Sequence, residues 1–294
     1  MVTFYRRLPR IDYIKPGSMD DLLDLLSGNH NGRYRVYAGG TDLIPKLKGR
    51  TINTPEAIVD LKGISGLDYI DYDDSHGLRI GALATIRSIE TSPVVREKYP
   101  LLSQASASIA SIQVRNRGTI AGNICNAVPS ADSAPPLLSL EARLLCVSKK
   151  RERIININEF FTGPNKNALE PDEILREIQI PALHEDFRGV FIKLSPRSRM
   201  DLAVVNVAVI CVKGKGRFKD IRISLGAVAP TPIRAQKAER SLEGVKTDDK
   251  AILNAAKTAS TESKPIDDHR ASAEYRRMMV EVLVRRAINK VLSD

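Results

Sequence analysis

Two glycine-containing loops, YAGGTDL at residues 37–43 and RGTIAGNICN at residues 117–126, constrain this chain more than any other feature. Each sets small residues beside hydroxyl or amide side chains, directly after a segment with regular hydrophobic patterning. Glycine lets a backbone approach a ligand with no Cβ in the way. Successive N–H groups in such a turn form a concave nest that favours an anion. Thr41 adds a hydroxyl to the first loop, and the second offers Thr119, the Gly122 amide and Asn123. Either loop alone can equally be a tight turn. Two with matching chemistry point to a diphosphate or dinucleotide-like ligand held between them. Asp132, in PSADSAPP, could accept hydrogen bonds from a sugar or polyol, or could simply cap a helix ahead of Pro135. GxxxxGK[ST] is absent and AGGTDL is not GxGxxG, so neither a Walker loop nor a Rossmann fingerprint is present.

The elements around the loops follow from periodicity. SMDDLLDLLS (18–27) reads as a short helix with Ser18 and Asp21 as a capping box. RYRVY (33–37) is a strand running into the first loop, and Pro45 makes a long following helix unfavourable. AIVDL (57–61) is a strand, and LDYIDY and LRIGAL form a hairpin across DDSHG. Residues 85–102 are helical with a break near Pro93. SQASASIASIQV (103–114) is a helix whose small side chains permit close packing on a sheet or ligand loop. Proline starts a helix in SAPPLLSLEA (133–142), and RLLCVS, RIININEFF and ILREIQIP are strands, with KKRER (149–153) at a hairpin tip. After residue 182 come long strands with a KGKGRF hairpin, then amphipathic helices over 251–259 and 272–292. The order is α+β and unlike a regular βαβ alternation.

Composition removes several functions. No apolar run approaches the roughly 20 residues of a membrane span, and MVTFYRRLPRIDY lacks the apolar core of a secretory signal. The cytoplasm is therefore the expected location. Cys125, Cys146 and Cys211 are widely spaced with no CxxC, which argues against a disulfide framework, zinc site or iron–sulfur cluster. The histidines (His30, His76, His184, His269) form no triad or metal spacing, so no catalytic or metal-ligating residue is assigned. The net charge of +10 raises nucleic acid as a partner. However, the basic residues are dispersed among acids, and 5% aromatics with no Trp supply no base-stacking platform. An anionic ligand or acidic partner subunits suit the charge better.

AGGTDLIPKLKG together with RNRGTIAGNICNAVPSADSAPPLLSLEA resembles the paired flavin-binding motifs of the FAD-binding medium subunit of molybdenum hydroxylases, the xanthine dehydrogenase and carbon monoxide dehydrogenase family. The resemblance extends through IDYIKPGSMDDLLDLL, LEPDEILREIQIP, FIKLSPRSRMDLAVVNVAV and SLGAVAPTPIRAQKAE, nearly the whole chain. It implies a two-part FAD domain of the vanillyl-alcohol-oxidase (PCMH) type over residues 1–181, with parts at about 1–60 and 61–181. An α+β C-terminal domain of the CO dehydrogenase flavoprotein type would follow over 182–294. It also implies that Ala38, Gly39, Gly40, Thr41 and Asp42 in the first loop, and Thr119, Gly122 and Asn123 in the second, hold the FAD pyrophosphate. Asp132 would contact the polyol or ribose. Lys193 matches a lysine beside the flavin, where a cation would favour the reduced ring electrostatically. Ala121 stands where the family most often has glycine, and an ordinary φ is expected there.

The resemblance further implies an electron-transfer flavoprotein subunit. Its partners would be a large molybdopterin-binding subunit and a small [2Fe–2S] subunit in a dimer of heterotrimers, with an external electron acceptor. Arg115, Asn116 and Arg117 are candidates for the docking surface of the iron–sulfur partner, or form a solvated turn. A free-standing flavin reductase of the same fold class, and a structural subunit without FAD, are the alternatives.

Overall fold

In a computed structural model, residues 7–28, 32–183, 186–197 and 200–293 are described. The first sixty residues build a three-stranded parallel sheet. Strand β1 (Asp12–Ile14) leads to helix α1 (Met19–Ser27), β2 (Tyr34–Tyr37), α2 (Leu43–Gly49) and β3 (Ala57–Asp60). β3 lies between the others, pairing Tyr13 with Ile58 on one side and Tyr37 with Asp60 on the other. This segment is a local βαβαβ unit within a chain whose order as a whole is α+β and not a regular βαβ alternation. The unit is hard to see in sequence because α2 is only seven residues long and contains Pro45, whose missing N–H falls between the bonds that Ile44 and Lys46 donate to the Gly40 and Asp42 carbonyls. Ser18 caps α1 as expected, its Oγ accepting the Asp21 N–H at 3.1 Å, and Leu22 and Leu26 are fully buried below.

A five-stranded antiparallel sheet follows. Its strands are β4 (Ile70–Asp73), β5 (Gly77–Gly81), β6 (Arg143–Val147), β7 (Glu152–Asn156) and, after the short α9 (Ile157–Phe160) and a small β8–β9 pair (Phe161–Gly163, Lys166–Asn167), β10 (Ile174–Ile180), in the spatial order β4-β5-β10-β6-β7. Gly77 ends the first hairpin turn at φ 84°. Between β5 and β6 run α3 (Ile86–Thr91), α4 (Pro93–Lys98), α5 (Pro100–Ser108), α6 (Ile112–Arg115), α7 (Ile120–Asn126) and α8 (Ala134–Ser139).

The helix expected over 103–114 stops at Ser108. The Ser108 hydroxyl bonds back to the Ala105 carbonyl at 2.7 Å, which competes with the helical ladder. Ile109 is then extended and Ala110 is left-handed at φ 45°. What holds this unfavourable alanine conformation is Arg115, whose guanidinium donates to the carbonyls of Ile109 and Ala110 at 3.0 and 2.9 Å.

The last sheet is an antiparallel meander of β11 (Phe187–Leu194), β12 (Val205–Gly214), β13 (Arg217–Gly226) and β14 (Ile233–Arg234). The two-residue period of β12 sorts its side chains. Val205, Val207, Val209 and Cys211 join a core with α10 (Gln236–Leu242), α11 (Asp249–Glu262) and α12 (Ala273–Ser293). Ala208 and Ile210, with Phe187 and Phe191 of β11, enter the core of the preceding 180 residues instead. One face of the sheet therefore backs directly onto the region that carries the glycine loops. Arg276 of α12 is 1% exposed and bonds to the Val204 and Ala227 carbonyls and to Asp268, fixing the end of the β12–β13 pair where β12 begins and β13 ends.

Candidate functional site

β2 delivers the first glycine loop and the α6–α7 turn delivers the second, and the two touch. A Cβ on Gly39 would lie 2.0 Å from the Arg117 carbonyl oxygen and 2.7 Å from the Gly118 Cα. Gly118 in turn faces Thr41 Oγ1. Glycine at 39 is thus required by backbone-to-backbone packing between the loops. Gly40 needs glycine for another reason: it is left-handed at φ 73°, and a Cβ there would meet the Tyr37 ring at 2.3 Å.

Beside the contact opens a cavity of about 810 Å³, within the usual 300–1,000 Å³ range of small-molecule sites. Ala38, Gly39, Gly40, Thr41, Asp42, Thr119, Gly122, Asn123, Asp132 and Lys193 all line it, although they come from four separate stretches of chain. Among the described residues, the N–H groups of Gly39, Gly40, Thr41 and Asp42 donate to no acceptor of the chain. Four consecutive unpartnered amides on a cavity wall form the nest expected of an anion site.

The second loop differs from its sequence reading. Thr119 is the N-cap of α7, and its Oγ1 accepts the Gly122 N–H at 3.0 Å. The Gly122 amide is therefore engaged inside the chain and is not the donor presented to the cavity. Ala121 lines the cavity and its N–H has no chain acceptor among the described residues. It sits in helical backbone, not among the left-handed residues, so the alanine is accommodated without strain. Asn123 Oδ1 accepts from Ser133 Oγ at 2.5 Å, tying the loop to the start of α8.

Asp132 does not cap α8; Ser133 occupies that position. The Asp132 carboxylate is buried and held by Lys193 Nζ at 2.6 Å on Oδ2 and by Asn206 Nδ2 at 2.8 Å on Oδ1. Lys193 also donates to the Ser108 carbonyl at 3.0 Å. Burial raises the Asp132 carboxyl above its ordinary range, against the opposing pull of Lys193 and its hydrogen bonds. Lys193 and Asn206 face each other on the β11–β12 ladder, so the C-terminal sheet supplies both groups.

Four residues behind the cavity wall escaped the sequence reading. Lys62 Nζ donates to the Ala38 carbonyl at 2.8 Å and to Asp60 Oδ1 at 2.7 Å, and lies 3.9 Å from the centre of the Tyr37 ring. Tyr13 closes the set by donating to Asp60. Burial opposes ionisation of Asp60, but the bonds from Lys62 and Tyr13 outweigh it and hold the carboxyl below its usual range. The one available signal was Asp60 itself, an acid ending an otherwise apolar strand. Asn206 was visible too, as the lone polar residue in AVVNVAVICV.

Arg115 is a correction. Its side chain is 13% exposed, and its Nε pairs with Glu90 at 2.8 Å. It clamps the 109–110 turn and presents no docking surface, whereas Asn116 and Arg117 are exposed. Arg115→Ala is expected to cost about 2 kcal/mol in urea unfolding, because charge-assisted bonds on buried carbonyls are lost. Arg117→Glu should stay within about 0.5 kcal/mol of the parent chain, as surface changes do. An Arg115→Ala chain as stable as the parent would remove the clamp. His76 pairs with Asp73 at the surface, and His30 and His184 lie outside the described residues. No group of three potential metal ligands occurs among the described residues, and no described helix is long and apolar enough to cross a membrane.

Two family descriptions match the sequence: "FAD binding domain in molybdopterin dehydrogenase" over residues 9–183 and "CO dehydrogenase flavoprotein C-terminal domain" over residues 191–291. The glyceraldehyde dehydrogenase medium chain of Sulfolobus acidocaldarius is 34% identical, with 96% of this chain and 99% of that one covered. The carbon monoxide dehydrogenase medium chain of Hydrogenophaga pseudoflava is 33% identical, with 96% of each covered. Among solved structures, carbon monoxide dehydrogenase from H. pseudoflava superposes with a TM-score of 0.93 at 33% identity, over 98% of this chain and 99% of that one. Quinoline 2-oxidoreductase from Pseudomonas putida 86 gives 0.90 at 28% identity, over 97% and 98%.

Proposed function

The chain belongs to the FAD-binding medium subunits of xanthine dehydrogenase- and CO dehydrogenase-type molybdenum hydroxylases, and from that premise we propose that it is the electron-transfer subunit of such a complex. FAD is its cofactor and oxidoreduction its reaction class. In this reading a large molybdopterin-binding subunit oxidises the substrate, and a small [2Fe–2S] subunit relays the electrons to this chain. They leave for an external acceptor. The complex is a cytoplasmic dimer of heterotrimers. The chain divides near residue 182 into a FAD domain and a C-terminal domain that lines the cavity with Lys193 of β11 and residues 200–202.

The residues present fit FAD. The observation that carries the reading is the row of unpartnered amides from Gly39 to Asp42 on the wall of the same cavity as Asp132 and Lys193. The first loop, with Thr41 Oγ1 and the Ala121 N–H opposite, receives a diphosphate. Asn123, pinned by Ser133, lies beside it. Asp132 is placed to accept from polyol or ribose hydroxyls with its remaining lone pairs. Lys193 sits at the ring end, its charge shared with Asp132. When bound, FAD would supply a carrier that takes up electrons one at a time from an iron–sulfur donor, stores two, and passes them on singly or in pairs. The chain's own part is to bind, orient and exclude water. In this reading substrate electrons enter through a docked iron–sulfur partner.

Purified alone, the chain is expected to carry about one FAD per polypeptide while oxidising no purine, aldehyde or aromatic substrate. Adding the small and large subunits should allow substrate to bleach the flavin absorbance. Arg117→Glu, exposed beside the second loop, should slow that bleaching without loss of FAD. Turnover by the isolated chain would favour the free-standing flavin reductase and overturn the subunit reading.

A further inference from the structure

Asn206 is fully buried, and its Oδ1 has no hydrogen-bond partner although its Nδ2 is bonded to Asp132. A buried acceptor left unsatisfied is costly and calls for an explanation. The surrounding backbone holds the amide in this orientation. Asn206 pairs across the sheet with Gly226, and a Cβ on Gly226 would lie 2.0 Å from Asn206 Oδ1 and 2.9 Å from Pro135 Cγ. Glycine at 226 therefore makes room for the amide on one side and for the start of α8 on the other. The next residue, Ala227, is left-handed at φ 64° and donates its N–H to the Pro129 carbonyl at 2.8 Å. Ser139 bonds Ser224 Oγ at 2.7 Å further along. The whole 129–139 segment is thus fastened to β12 and β13 independently of Asn206. That leaves one task for the amide, which is to set the Asp132 carboxylate.

We propose that Asn206 is a positioning residue for FAD binding: with Lys193 opposite it on the ladder, it grips the Asp132 carboxylate from the C-terminal sheet and fixes the direction of its remaining lone pairs. The two grips are not equivalent. Lys193 neutralises charge on Oδ2, while Asn206 adds a directional bond on Oδ1 and no charge. Asn206 in turn depends on Gly226, so two residues of one sheet grip the oxygen pair and a third makes room for one of them. The inference rests on Asp132 contacting the bound cofactor.

The experiment is a double-mutant cycle read by titrating apoprotein with FAD. The chains are the parent, Asp132→Asn, Asn206→Leu and the double variant, with apoprotein melting temperature as a parallel readout. Asn206→Leu should weaken FAD binding about tenfold in the parent background and less than about twofold in the Asp132→Asn background. Gly226→Ala keeps the amide but displaces it, and should reproduce the tenfold loss. If Asn206→Leu fails to fold, Asn206→Ser takes its place in the cycle. Equal losses in both backgrounds, or a fall in melting temperature with unchanged affinity, would make Asn206 a packing residue and overturn the proposal. Asp132→Asn binding FAD as tightly as the parent would instead remove the contact role of Asp132, and this inference with it.

Discussion

Gly39→Val is expected to strip FAD from the chain during purification, with at least a hundredfold loss of affinity, while the three sheets remain folded. The atoms a new Cβ would strike are backbone: the Arg117 carbonyl oxygen at 2.0 Å and the Gly118 Cα at 2.7 Å. Backbone cannot swing away as a flexible side chain can, so the two loops must separate. Overpacking of this kind costs about 1–3 kcal/mol or more, and a hundredfold in affinity corresponds to about 2.8 kcal/mol. Gly40→Val should be nearly as severe, because it combines φ 73° with the Tyr37 ring at 2.3 Å. Gly122 ranks well below both. Its φ is not left-handed, and a Cβ there meets only Thr119 Oγ1 at 2.9 Å. Gly122→Ala is therefore the control that keeps most of its flavin. Flavin absorbance per polypeptide after desalting measures all three. Full occupancy in Gly39→Val would show that the loop contact has no bearing on the cofactor.

That ranking marks where sequence reasoning ended. Glycine at 39, 40 and 122 looked equivalent in one dimension, since each promised an open backbone. In space Gly39 serves loop packing, Gly40 serves a left-handed turn, and Gly122 donates within its own helix cap. Local features were legible where local physics governs them. Ser18 and Asp21 gave the start of α1, Gly77 the β4–β5 turn, and the cavity residues their shared polar chemistry. Features set by partners far along the chain were not legible. Arg115 looked like a surface cation until Glu90 and the 109–110 carbonyls came into reach of it. Lys62 gained meaning only once parallel pairing set Asp60 beside Tyr37 and brought the ammonium to the Ala38 carbonyl. Asn206 was conspicuous as a polar residue in an apolar strand, but its partner lies 74 positions away.

Lys193→Met is expected to act first on stability. Taken from sequence alone, the change removes a cation beside the ring and so lowers the flavin potential with the fold intact. The structure shows Lys193 and Asp132 as an ion pair, each side chain only 7% exposed. Removing the lysine leaves a buried carboxylate with neutral donors such as Asn206. Breaking one side of a buried pair costs about 3–5 kcal/mol. Deleting the charge on the other side as well should return most of that loss, so Lys193→Met with Asp132→Asn is expected within about 1–2 kcal/mol of the parent. The pH dependence has a definite sign. Burial already raises the Asp132 carboxyl, so the folded chain holds that proton more tightly than the unfolded chain does. Stability therefore falls as pH rises through the range between the two states, and Lys193 offsets the effect. Without the lysine the folded-state value climbs further. The deficit of Lys193→Met should then be largest in neutral and alkaline buffer, shrink in acid, and lose this pH dependence in the double variant. Urea unfolding of the apoproteins across a pH series measures each term. A single variant as stable as the parent at neutral pH, or a double variant no better than the single, would show that the pair does not hold this end of the cavity together.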